Sequence, residues 1–234
     1  MQNKRKEIQT ARMWRYFLDA AAEIIEEKGF QKLTIREIAD RAGFTSSTVY
    51  NYFQDLSHLK FFAVMRYTND YVKELPAYME KGSNTVETWL YSWECFCKHS
   101  FAKPEIYSLL FIENLGSIPE ELLQHYYKIF AHDLVDLPES IRSIIVEHHI
   151  STRGNLFIQQ AVEEGFLEEN DVEFLADTTM HIWTGVLTNT LNLRKKVTKQ
   201  EATELTMRYI HRVVMQTIAP DRRNEVNYSH SVNA

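Results

Sequence analysis

Seven glycines and five prolines are all that punctuate a chain of 234 residues. So few turn-forming residues leave room for few, long elements, which favours helices over many short strands. The length suits a compact core with a smaller appended module. Hydrophobic residues at 44% and charged residues at 25% sit near the globular mean, excluding fibrous and wholly disordered chains. No apolar run reaches the ~18 residues of a membrane span, and MQNKRKEIQT is not followed by the apolar stretch of a secretory signal. A cytoplasmic protein without membrane contact is expected. Cys95 and Cys97 are too few for a disulfide framework or a four-ligand zinc site, and on a helix they point to different faces.

Trp14, Phe17, Leu18, Ala21, Ile24 and Ile25 recur at helical spacing, and Gly29 stands where a left-handed residue would end that helix. Thr34 and Glu37 fit a capping box. Ile35, Ile38, Ala39 and Ala42 then form the stripe of a two-turn helix ended by Gly43. Thr45 can cap a further short helix, and Asp55 a long one expected to run unbroken from about Leu56 to Tyr78. Two short helices about a Gly43 turn, backed by a first helix, make a helix-turn-helix. Val49 and Phe53 would anchor the second short helix inward, leaving the hydroxyls and amide of Thr45, Ser46, Ser47, Thr48 and Asn51 to face outward. A helix N-terminus of this kind offers free N–H groups to phosphate. Spacing alone leaves two alternatives open, DNA recognition and an ordinary bundle helix capped by Ser and Thr.

The stretch from Leu33 to Phe53, LTIREIADRAGFTSSTVYNYF, with Leu59 beyond it, resembles the signature of TetR-family transcriptional regulators. That signature runs from a threonine-started helix through Ile-Ala and Ala-Gly to a Ser/Thr-rich turn and Tyr-x-(His/Tyr)-Phe. The resemblance implies an all-α fold: an N-terminal three-helix helix-turn-helix domain over 1–54, then a larger helical ligand-binding and dimerisation bundle over 55–219. The polar tail 220–234 is expected to be flexible. Carried over by position, the DNA-binding residues would be Thr34 and Arg36 on the first helix of the motif. Thr45, Ser46, Ser47, Thr48 and Asn51 would face the groove, and Tyr50 and Tyr52 would meet phosphate or a thymine methyl. One departure stands out, because Leu56 occupies the place where the family usually carries a phosphate-binding lysine. Either Lys60, one turn later, substitutes or the phosphate contact is lost, and the arm of Lys4, Arg5, Lys6, Arg12 and Arg15 either adds charge or is a solvated tail.

Beyond residue 80, helices are expected over 84–101, 104–115, 119–134, 138–164, 171–194 and 198–218. Apolar residues line one side of 171–194 (Val172, Leu175, Ala176, Thr179, Ile182, Trp183, Val186, Thr190) and of 198–218. The turn around Gly165 and the later Gly185 are similar to the family's C-terminal pattern, which implies a homodimer through these two helices. Paired recognition helices would then read a palindromic operator in double-stranded DNA, with half-sites about 34–36 Å apart.

The middle of the chain is rich in aromatic residues, and ligand clefts between helices are commonly aromatic. Trp93, Phe96, Tyr107, Phe111 and Trp183, with Tyr127, Phe130 and Phe157, are the candidate effector-pocket residues; most must also serve as core. Glu113 joins them as a carboxylate beside an apolar run, either buried against a partner or cationic ligand, or exposed on the helix back. His125, His132, His148, His149 and the Asp177–His181 pair give no His-x-x-x-His or His–Cys set, so neither metal nor other cofactor is expected. Nucleophile elbow, phosphate loop and His-Glu-x-x-His motif are all missing, so an enzyme is not expected.

Residues 1–60 hold 10 Lys and Arg against 8 Asp and Glu, whereas the rest of the chain holds 16 against 24. The overall charge of −6 therefore belongs to the sensing half, favouring a neutral or cationic lipophile over a polyanion as effector. The expected function is a repressor released from its operator by such a molecule. A small-molecule-binding bundle with weak or vestigial DNA binding is the alternative, with Leu56 as its support.

Overall fold

The computed structural model describes residues 2–113, 122, 126, 127, 130, 154, 155, 157–193 and 196–229, and no strand occurs among them. The expected helix 119–134 and most of 138–164 lie outside the described residues. The chain packs as two units. The first takes residues up to Tyr67 with Glu113, Leu122, Tyr126, Tyr127 and Phe130, and the second takes the remainder. By packing, the first unit runs through Tyr67.

In the first unit, α1 (Gln2–Lys28) is followed by α2 (Ile35–Ala42), α3 (Ser46–Tyr50) and α4 (Leu56–Met65). The expected basic arm is helical, forming the opening turns of α1. Gly29 (φ 81°) and Gly43 (φ 78°) take the left-handed backbone that ends α1 and α2. Trp14 is the centre of the core, with the rings of Phe53 and Phe62 at 4.6 and 4.4 Å. Phe62 is in turn stacked on Tyr126. Phe62 and His58 of α4 complete this core, so α4 packs with the helix-turn-helix.

Capping is as local as the sequence implies, with one difference. Thr34 Oγ1 accepts from Glu37 N at 3.2 Å, but the Glu37 carboxylate pairs with Lys28, so half of the capping box is spent joining α1 to α2. Asp55 Oδ1 accepts from His58 N at 2.8 Å while His58 Nδ1 accepts from Gln54 N at 3.0 Å, so the imidazole returns its bond to the residue before the cap rather than to the cap itself.

The helix expected from Leu56 to Tyr78 is not continuous. A 3-10 turn over Arg66–Thr68 separates α4 from α5 (Asn69–Met79). The apolar spacing runs across the break, but Thr68, Asn69 and Asp70 compete for backbone hydrogen bonds and weaken the helix there.

The second unit comprises α5, α6 (Thr85–Ala102), α7 (Pro104–Phe111), α8 (Gln160–Glu163), α9 (Glu169–Leu191) and α10 (Lys199–Thr217). Helix α6 packs on α5, α7, α8 and α10, and α9 on α7 and α10. Surrounded in this way, α6 buries Val86, Trp89, Leu90 and Trp93 on its expected face and also Glu87, Tyr91, Glu94 and Cys95 around it. Full capping boxes start α9 (Glu168 with Asp171) and α10 (Thr198 with Glu201).

Two expectations change here. Val172, Leu175, Ala176, Thr179 and Trp183 of the proposed assembly stripe face their own core, since α9 must first cover α7 and α10. What α9 and α10 leave outward is a second, narrower face. It carries Phe174 (52% exposed) and Tyr209 (45%), and a groove of about 350 Å³ lined by Ile182, Gly185, Val186 and Leu205, among others. The tail is likewise not splayed as far as Ser229. A 3-10 turn over Pro220–Glu225 leads into a segment docked on α6, where Asn227 N donates to Glu87 Oε1 at 2.6 Å and Tyr228 OH to Glu94 Oε2 at 3.0 Å. Those carboxylates are 2% and 4% exposed, and buried charge requires such partners.

Candidate nucleic-acid interface

Helix α3 is five residues long and owes its order to what it buries. Val49 is fully buried and Phe53 is 1% exposed, held against Trp14 and Phe17. With those anchors inward, Thr45, Ser47, Tyr50 and Asn51 are exposed, Tyr50 by 56%, while Ser46, Thr48 and Tyr52 are half-buried. Thr45 Oγ1 accepts from Thr48 N at 3.4 Å and lies 2.8 Å from Ser47 Oγ and 3.0 Å from Thr48 Oγ1. These hydroxyls stand as one knot at the helix start.

Thr34 and Arg36 are exposed beside them. Arg36 meets Asp40 at 3.9 Å with its side chain 89% accessible, so that contact holds it weakly. Other cations of the first unit are engaged in building it. Arg41 makes a fork to Glu27 at 2.5 and 2.6 Å, and this hydrogen bond holds the Glu27 carboxyl below its usual range. Arg66 pairs with Asp19. Lys60 is half-buried, with Nζ 4.7 Å from the centre of the Phe30 ring, a cation–π seat it must leave to reach a phosphate. Arg5, Arg12 and Arg15 are exposed on α1.

The pocket candidates divide between the units. In the second, Trp93, Phe96, Tyr107, Phe111 and Trp183 meet in one cluster around Phe96, whose ring centre lies 5.0 to 5.6 Å from the other four. Trp183 Nε1 donates to Ser100 Oγ at 2.9 Å, and Ser100 Oγ donates to Cys97 O at 3.2 Å. Phe157 is half-buried. Tyr127 and Phe130 flank Tyr126 in the first unit, at 5.2 and 4.9 Å, and Glu113 is exposed there.

One grouping differs from expectation. Cys95 and His99 do form a His–Cys pair, four apart on α6, and Glu74 of α5 joins them. The i,i+4 spacing was legible; the carboxylate from a separate helix was not. The buried contacts of Tyr228 and Asn227 with Glu94 and Glu87 were equally out of reach, since they join residues 134 and 140 apart. Burial pushes the Cys95 thiol up to about 12 and Cys97 well above its usual value.

The family described as bacterial regulatory proteins, tetR family, matches residues 17–57, which span the end of α1 to the start of α4. A search of curated proteins finds no match. Among solved structures, Thermus thermophilus FadR, a TetR-family transcriptional repressor in complex with lauroyl-CoA, superposes with a TM-score of 0.59. Its identity is 13%, over 94% of this chain and 100% of that one. RolR in complex with resorcinol also gives 0.59, at 17% identity over 94% of each chain. SmeT, the repressor of the Stenotrophomonas maltophilia multidrug efflux pump SmeDEF, gives 0.53 at 17% identity, over 88% of this chain and 90% of that one. Residues 17–57 are a TetR-family helix-turn-helix, and the chain carries the fold of the TetR-family transcriptional regulators.

Proposed function

We propose that the chain is a homodimeric transcriptional repressor that reads a palindromic operator through α3 and leaves it on binding a small lipophilic effector. The observation that carries this reading is the division of α3: Val49 and Phe53 buried, Thr45, Ser47, Tyr50 and Asn51 displayed. In this reading Thr34, Arg36, Thr45 to Thr48, Tyr50, Asn51 and Tyr52 face DNA, and Lys60 replaces the phosphate contact given up at Leu56. Dimerisation uses the outward face of α9 and α10, where Phe174, Tyr209 and the groove between the helices leave apolar surface uncovered.

The effector enters the second unit around the Phe96 cluster. FadR and RolR, which share the fold, were solved with lauroyl-CoA and resorcinol, and an aromatic-lined region suits a neutral or cationic lipophile. To reduce operator occupancy a hundredfold the effector must favour the DNA-incompetent state by about 2.8 kcal/mol, an ordinary coupling energy. No catalytic role is assigned.

A band-shift titration against the DNA upstream of the chain's own gene tests the reading. A salt-sensitive complex that requires both half-sites is expected, with a salt slope about one unit shallower if Lys60 stays on Phe30. Tyr50→Ala should weaken it at least about tenfold while changing stability by less than about 0.5 kcal/mol. Unchanged affinity in Tyr50→Ala refutes the role of α3. Melting shifts with lipophilic compounds and no DNA complex would establish the ligand-binding bundle instead.

A further inference from the structure

We propose that Glu74, Cys95 and His99 form a binding site for a thiophilic divalent cation of the zinc class. The site lies wholly within the second unit, on facing turns of α5 and α6, and stands whether or not the chain binds DNA. One donor atom from each residue lies within 4.8 Å of both others, and His99 Nε2 is 3.1 Å from Glu74 Oε2. A tetrahedral centre with bonds of about 2.0–2.3 Å spaces its donors roughly 3.3–3.8 Å apart. Side-chain rotation closes the remaining gap without moving either helix.

The donor set decides the cation. Thiolate, imidazole and carboxylate together select borderline-soft ions, whereas magnesium and calcium take oxygen ligands. Cys95 is fully buried with Sγ turned to α5, 4.0 Å from Tyr71 O. Glu74 and the imidazole of His99 are half-buried and reach it from the solvent side. Three protein ligands leave one position for water or an incoming donor.

A cation is already drawn to this carboxylate. Lys98 Nζ lies 2.7 Å from Glu74 Oε2, and hydrogen bonding to Lys98 holds the Glu74 carboxyl below its usual range. Lys98 is half-exposed on a flexible stem, and its ammonium also lies 5.6 Å from the Tyr78 ring. When the divalent ion enters, the Cys95 thiol proton passes to solvent as the sulfur–metal bond forms, and Lys98 leaves Glu74 for that ring or for water. Plain ion pairing of α5 to α6 accounts for Lys98 and Glu74, and Asp70 with Lys103 at 3.7 Å provides another such tie. With His99 protonated it accounts for the imidazole as well, at 3.1 Å from Glu74 Oε2, but not for the Cys95 sulfur within 4.8 Å of both.

The test is a titration of the full chain, stripped with chelator and kept reduced, with Co²⁺ as a spectroscopic probe. One equivalent should produce the near-ultraviolet thiolate-to-cobalt band, displaced by Zn²⁺ and unaffected by excess Mg²⁺. Cys97→Ser should keep the band, Cys95→Ser should lose it, and His99→Gln and Glu74→Gln should each weaken binding by at least about tenfold. His99 is not fully buried, its side chain 15% accessible, so His99→Gln remains informative if Cys95→Ser does not fold. Absence of the band in the parent chain overturns the proposal and leaves the trio as a helix–helix ion pair. Parent-like Co²⁺ affinity in His99→Gln, or a band that follows Cys97 rather than Cys95, overturns it as well. Because the titration contains no DNA, failure of the repressor reading leaves its outcome untouched.

Discussion

The first unit displays its polar chemistry and the second encloses it. On α3, hydroxyls, an amide and a phenol stand in solvent over two buried anchors. In the second unit Glu87, Glu94, Ser100 and Thr179 lie inside, each with a hydrogen-bond partner. Displayed groups cost little to keep and are available to a ligand of any sequence-reading kind. Enclosed groups must be satisfied internally, so they fix the packing of α6 against its neighbours and carry a large penalty if a partner is lost. The two halves of the molecule should therefore respond very differently to substitution.

The largest effect is expected at Trp183. Trp183→Ala removes a fully buried ring from the Phe96 cluster and leaves Ser100 Oγ with only its bond to Cys97 O among those described, and should cost about 3–5 kcal/mol in chemical denaturation. A cost near that of an exposed residue would break the picture of an enclosed second unit. Next comes Tyr228→Phe, which takes the hydroxyl from buried Glu94 and should cost about 1.5–3 kcal/mol. Burial first, and the Glu94 charge second, raise the Tyr228 phenol above its ordinary range. A group kept neutral in this way contributes stability below its unfolded pKa and loses it as pH rises through the folded value. The parent chain should thus lose melting temperature above about pH 10 more steeply than Tyr228→Phe. Equal alkaline slopes would show that the tail is not held through this phenol. Gly43→Ala comes last, at about 1–2 kcal/mol from the left-handed backbone alone, because an added Cβ there meets no atom within 4 Å. A cost well above that would mean that the turn between α2 and α3 is less open than it stands here.

What the sequence revealed follows the same division. Every cap and stop of the helix-turn-helix joins residues three or four apart: Thr34 to Glu37, Thr45 to Thr48, Asp55 to His58, Gly43 to Ala39. Spacing could register all of them, including which side of α3 turns inward. It misjudged the Glu37 side chain because Lys28 lies nine residues away, and it passed over the 3-10 turn at Arg66 because apolar periodicity carries no mark of a polar break. In the second unit the decisive contacts are distant in sequence. Glu74 meets a cysteine and a histidine of another helix, and α9 turns most of its apolar stripe to its own core. Apolar periodicity can tell that a face is buried but not by what.

The docking of Asn227 and Tyr228 on α6 also bears on how the chain folds as it is made. Glu87, which already accepts from Ser83 N at 2.8 Å, and Glu94 leave the ribosome 140 and 134 residues ahead of Asn227 and Tyr228, their contacts in the tail. Synthesis at about 5–20 residues per second puts roughly 7–28 seconds between α6 and these tail contacts. The first unit closes its caps from neighbouring residues and has no comparable wait, although α4 is joined there by Tyr126. Contacts of such long range form slowly and late. The second unit should therefore reach its final packing only after the tail emerges, and chaperone dependence of a newly made chain should be concentrated in α6 rather than in the helix-turn-helix.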